Sequence, residues 1–211
     1  MKKLLLFVLC LTAFSFGEEF WTRTHYIGLS LNKYWATGDL NGKKTISLDK
    51  EGLQEDFSLP QFNHSFIPEI EVGVNMNAHA IAIAFGYNEQ SQFSYMRVGA
   101  DYRYYLFWPE PLQLGFGVNY AFMKIYAEDN VLTQKEEEAP TYSNGNLMGN
   151  GFSAVTSVRY YFTEHLGAEA SLKYSYFFFN SLNTNECGTC SIDKSPKEHF
   201  GELGIKLFFQ L

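Results

Sequence analysis

Apolar residues return at every second position over long stretches of this 211-residue chain, from Phe62 to its end. His79, Ile81, Ile83, Phe85 and Tyr87 alternate with Ala80, Ala82, Ala84 and Gly86, and Leu112, Leu114, Phe116, Val118, Tyr120 and Phe122 alternate with Gln113, Gly115, Gly117, Asn119 and Ala121. A period of two belongs to strands that show one apolar face and one small or polar face. When such strands close into a ring with the apolar face outward, the product is a transmembrane β-barrel.

The pattern predicts an all-β fold of eight antiparallel strands in an up-and-down meander, at residues 20–35, 66–75, 78–87, 93–107, 112–126, 151–162, 166–178 and 197–211. Pro68 has no N–H to give to a ladder, so the second strand is expected to be bulged or unpaired there. The connections alternate in kind. Residues 75–77, 108–111 and 163–165 are short turns, whereas 36–65, 127–150 and 179–196 are long and polar and only 88–92 is brief. Barrels of the outer membrane have short periplasmic turns, longer external loops and an even strand number, which places both chain ends in the periplasm.

The aromatic residues follow the same geometry. Tyr102, Tyr104, Trp108, Tyr160, Phe162 and Phe209 fall near the short-turn ends of the strands, and Trp35, Tyr87, Tyr120, Phe122, Tyr174, Tyr176 and Phe178 near the opposite ends. Two belts of rings suit the two interfaces of a membrane. A soluble β-sandwich would gather its rings at mid-strand instead.

The N-terminus changes the picture by naming a compartment. Lys2 and Lys3 precede the apolar run 4–16, and Ser15-Phe16-Gly17 sets small residues three and one before the Gly17/Glu18 bond. This predicts a cleavable signal peptide, residues 1–17, ahead of a mature barrel of residues 18–211. The run is shorter than the ~20 residues a helical anchor needs. Cys10 follows Phe7, Val8 and Leu9, which is not the small-residue context of a lipidation signal. Loss of Lys2 and Lys3 takes the net charge from -7 to -9, so the basic footprint of a nucleic-acid partner is absent.

Extending the alternation assigns an inward set of charges. It comprises Glu69 and Glu71, then Arg97, Asp101 and Arg103, then Arg159, then Glu169 and Lys173, and last Glu202 and Lys206. Eight strands leave an interior only wide enough for side chains to fill, so five acids and five bases there predict a salt-bridged plug. Such a plug would keep the barrel silent until a charge such as Arg97 or Glu202 is removed. The alternative is a narrow ion or solute path, which balanced opposite charges would obstruct.

With its signal, eight alternating strands, short inner turns, charged interior and a strand ending at the C-terminus, the chain resembles the OmpA/OmpX-like family of small outer-membrane β-barrels. The last strand carries Leu203, Ile205, Leu207, Phe209 and Leu211 on its lipid face. It resembles the C-terminal signal read by the family's barrel-assembly machinery, although that signal ends in an aromatic and this chain ends in Leu211. The resemblance implies the outer membrane of a Gram-negative bacterium, with outer-membrane lipids and lipopolysaccharide as surroundings.

Candidate chemistry is sparse. Cys187-Gly188-Thr189-Cys190, in the fourth outer loop of an exported chain, reads as a loop disulfide between Cys187 and Cys190 rather than a redox or metal site. The run Glu136-Glu137-Glu138, with Glu128 and Asp129, could meet divalent cations only if its carboxylates converged. Asp49, Glu51, Glu55 and Asp56 make loop one acidic as well, and both stretches read as solvated loops. An enzyme acting on lipid A or peptides at the outer rim would want a histidine base, and only His64 and His199 approach that rim, both on the lipid-facing parity. The sequence therefore predicts a monomeric, non-enzymatic barrel without cofactor or metal, whose loops form the recognition surface.

Overall fold

The computed structural model describes residues 23–38, 45–50, 53–58, 66–89, 93–134, 141–184, 190–191 and 197–211. They form eleven strands and no helix: β1 (Arg23–Gly38), β2 (Thr45–Lys50), β3 (Leu53–Ser58), β4 (Phe66–Met76), β5 (His79–Glu89), β6 (Phe93–Leu106), β7 (Leu112–Gln134), β8 (Thr141–Tyr161), β9 (Leu166–Thr184), β10 (Cys190–Ser191) and β11 (Lys197–Gln210). Eight of them, β1, β4, β5, β6, β7, β8, β9 and β11, pair antiparallel each with the next. The ring is closed by β11 against β1, from Tyr26 opposite Gln210 to Gly38 opposite Glu198. The chain is thus an eight-stranded antiparallel barrel without a free edge in its wall.

Its surface is the inverse of that of a water-soluble protein. Ile83 and Ile205 are each 65% exposed and Val118 is 60% exposed, while their chain neighbours Ala82, Ala84 and Asn119 are buried. Leu29, Val72, Phe116, Leu172 and Leu207 extend the same apolar exterior around the ring. Such a band is stable only where the surrounding solvent is hydrocarbon, and a closed ring satisfies every strand's backbone groups there. Ala80, Ala82, Ala84 and Gly86 on β5 face inward beside long charged side chains from the other strands, so small residues on one wall make room for large ones on the rest.

The turns obey local chemistry. At the β4–β5 turn, Asn77 adopts the left-handed conformation with φ of 54°, which asparagine tolerates better than most side chains. Pro68 departs from expectation in part. β4 stays in register with β1 through the Leu31 to Pro68 pair, while its pairing with β5 stops at Glu69 opposite Gly86. No bulge is needed, because the ladder that a proline would weaken has already ended on one side.

The larger correction concerns the connections. Stretches read as long polar loops contain sheet: β7, β8 and β9 run on to Gln134, from Thr141 and to Thr184, and β2 and β3 form a hairpin within 36–65. That hairpin pairs onto the far end of β7, with Phe57 opposite Gln134 and Ser58 opposite Thr133, and β10 pairs onto β9. Register shifts lie between Ala127 and Leu132 in β7 and between Met148 and Gly149 in β8. Backbone pairing needs no apolar face once strands leave lipid for water, so a search for alternation stops short of these extensions. The predicted signal segment, His64, Glu136 to Glu138 and Cys187 lie outside the described residues; Cys190 opens β10.

Candidate functional site

The barrel interior is the chemically distinctive region. All ten charged side chains assigned inward from the sequence lie inside the wall, and each is buried: Glu69, Glu71, Arg97, Asp101, Arg103, Arg159, Glu169, Lys173, Glu202 and Lys206. They sort into two clusters of zero net charge. Toward the short turns, Glu71, Asp101 and Glu169 meet Arg103, Arg159 and Lys206. Toward the long connections, Glu69 and Glu202 meet Arg97 and Lys173.

Glu169 is the hub of the first cluster. It receives Arg103, Arg159 at 2.9 Å, Lys206 at 3.1 Å and the Tyr105 hydroxyl at 3.1 Å. Glu71 takes Lys206 at 2.7 Å, the Tyr26 hydroxyl at 2.7 Å and Arg103 at 3.5 Å, and Asp101 completes the set 3.4 Å from Arg103. The Arg159 guanidinium also lies 3.9 Å from the centre of the Tyr105 ring and 4.8 Å from that of Phe208. A buried ion survives only when its remaining donors and acceptors are met, and aromatic faces and phenol hydroxyls do that here.

Arg97 organises the second cluster, 2.7 Å from Glu202 and 2.5 Å from Glu69, with Lys173 reaching Glu202 at 3.5 Å. Tyr34 donates to Glu69 at 3.1 Å and Ser175 to Glu202 at 2.7 Å. Neutral groups join the clusters: Asn119 donates to Asp101 at 2.8 Å, and Ser153 spans from Asn119 to Ser175. The result is a polar network that reaches from wall to wall.

Beyond Arg97 the interior changes character, a feature that sequence reasoning missed. Ile67, Tyr95, Met123, Phe177, Phe179 and Phe200 are completely buried. Phe200 stands against Phe177, with ring centres 5.6 Å apart, and against Tyr34 at 6.2 Å, while Tyr95 packs on the other edge of Tyr34. Gly151 makes space for this layer, since a β-carbon there would lie 2.5 Å from the Phe177 ring. A signal was present: Tyr95, Ile67 and Phe200 each stand two positions before an inward charge, Arg97, Glu69 and Glu202. The same parity carries one more charge that the sequence-derived set of five acids and five bases omits: Glu198, fully buried two positions before Phe200, gives the described interior one acid more than its bases.

Outside the barrel the aromatic residues stand at the two strand ends. At the short-turn end His79 lies 2.8 Å from the Tyr102 hydroxyl and beside Tyr104; at the other end His199 lies 2.7 Å from the Tyr174 hydroxyl and beside Tyr176. Trp35 lies over Gly201, in the space a β-carbon would occupy. His25 and His165 are exposed, the latter with its ring 3.1 Å from the Gln210 carbonyl, and His79 and His199 are half-buried. Leu203, Ile205, Leu207, Phe209 and Leu211 are all on the exposed exterior.

No family model and no curated protein matches the chain. Solved structures do match. Neisserial surface protein A shares 14% identity, with 88% of this chain and 97% of that chain covered and a TM-score of 0.47. A major outer membrane protein from Thermus thermophilus shares 10% identity over 90% of this chain and 100% of that chain, with a TM-score of 0.49. The outer membrane protease OmpT from Escherichia coli shares 12% identity over 89% and 97%, with a TM-score of 0.41. The likeness is one of fold.

Proposed function

We propose that this chain is a sealed barrel of the Gram-negative outer membrane with a structural or surface-interaction role, presenting its extended loop-side sheet outward and its short turns to the periplasm. The observation that carries the proposal is the pair of seals in series within an apolar-coated ring: a buried ion-pair network followed by a layer of close-packed aromatic and aliphatic side chains. Ions crossing such an interior would have to displace both. Lipid and lipopolysaccharide cover the exterior band, and the barrel-assembly machinery engages the strand that ends Leu203, Ile205, Leu207, Phe209 and Leu211. The β2–β3 hairpin joined to β7 makes loops one and three a shared recognition surface.

The proposal assigns the barrel no catalytic role. The test is topological. An epitope inserted after Lys50 should be labelled on intact cells, and one inserted after Thr163 only once the outer membrane is opened. Reversed labelling, or recovery of the protein in the soluble fraction, would overturn the assignment.

A further inference from the structure

A recess of about 440 Å³ opens at the short-turn end of the barrel, within the size range of small-molecule sites. Its polar lining is dominated by four neutral amides, Asn75, Asn77, Gln113 and Gln210. They come from strand ends and a turn far apart in sequence, and a hydrogen-bond chain of three bonds links four side chains of the recess. Arg159 donates to Asn75 at 3.1 Å, Asn75 to Gln210 at 3.3 Å, and the Tyr161 hydroxyl to Gln210 at 3.2 Å. Gln113, only 3% exposed, lines the recess and donates to the Glu110 carbonyl at 3.0 Å. Amides tethered in this way present their remaining donors and acceptors in fixed positions at the wall of the cavity.

We propose that this recess binds a neutral saccharide. Sugar hydroxyls both donate and accept, as do side-chain amides and the hydroxyls of Thr24, Thr163 and Tyr161 around them. Trp108, 44% exposed, and Pro109 supply an apolar wall of the kind on which the C–H face of a pyranose stacks. A carboxylate or phosphate ligand is disfavoured: Arg159, the cation of the recess, is already neutralised by Glu169 at 2.9 Å, and Glu164 adds negative charge. The recess lies on the short-turn side of the ion-pair network and shares Arg159 with it, so a ligand there would rest on the seal without having to open it.

The probe is tri-N-acetylchitotriose, titrated against the folded full chain in a zwitterionic detergent and followed by tryptophan emission and calorimetry. Saturable binding is expected, weakened about tenfold in Trp108→Ala and in Gln113→Ala, which is the worth of one stacking contact or hydrogen bond. Trp108→Phe should recover most of the affinity. The gel mobility shift on heating, retained in all three variants, keeps a folding defect from passing as lost binding. Competition by dodecyl maltoside well below the concentration at which maltose competes would assign the site to a glycolipid headgroup, and equal competition to a free saccharide. Absence of saturation, affinity unchanged in both truncations, or saturation by a neutral peptide and not by the sugar would each overturn the proposal.

Discussion

Toward the short turns the barrel interior holds Glu71, Asp101, Glu169, Arg103, Arg159 and Lys206 in mutual contact; toward the long connections it holds Ile67, Tyr95, Met123, Phe177, Phe179 and Phe200. Both halves are buried, and they differ in what a single change does. An ion-pair cluster returns little net stability, since desolvation offsets most of the attraction, yet it fixes one arrangement and punishes the loss of any member. An apolar layer gains from every atom it buries and yields gradually as atoms are removed. The charged half thus specifies the register of the wall, and the apolar half contributes stability and a second barrier to ions.

The largest break in that comparison is Glu169→Gln, which keeps the shape and leaves Arg103, Arg159 and Lys206 short of one negative charge. It should cost ~3–5 kcal/mol, read as a shift of the urea midpoint for the protein folded in lipid vesicles. Phe177→Ala should cost about 3 kcal/mol by the cavity it leaves, in the same assay. On the exterior, Ile205→Lys puts a charge into the apolar band and should cost roughly 2 kcal/mol in lipid, with a smaller loss in detergent micelles thin enough to let the ammonium reach water. Smallest is the coupling between the two halves. Glu169 and Phe177 lie eight positions apart on β9, ~26 Å at ~3.3 Å per residue, so the double variant should match the sum of the singles within about 0.5 kcal/mol. A larger coupling would mean that the halves act as one unit.

Much of this architecture is legible in the chain. The parity that sets Ile81 and Ile83 apart from Ala82 also sets Tyr102 and Tyr104 apart from Asp101 and Arg103, so the meander and the sidedness of each strand follow from one period. The sheet beyond the membrane is not legible in the same way. From Glu128 to Gln134 β7 continues as paired backbone without the apolar alternation of its earlier part. The Phe177-Phe178-Phe179 run hides its meaning for the opposite reason: two of its rings face inward and one outward, and a run of three aromatics shows no period at all. The recess at the short-turn end is invisible from the sequence, because Asn75, Gln113, Arg159 and Gln210 meet only when the ring closes.

The central claim is that the barrel is sealed twice. Conductance across planar lipid bilayers tests it directly, comparing the natural chain, Arg97→Ala, and the combination of Arg97→Ala with Phe177→Ala and Phe179→Ala. The natural chain and Arg97→Ala should both be silent, and only the combination should open discrete steps. Steps from the natural chain, or from Arg97→Ala alone, would contradict the account, the first by showing that no seal exists and the second by showing that the ion pairs were the only one.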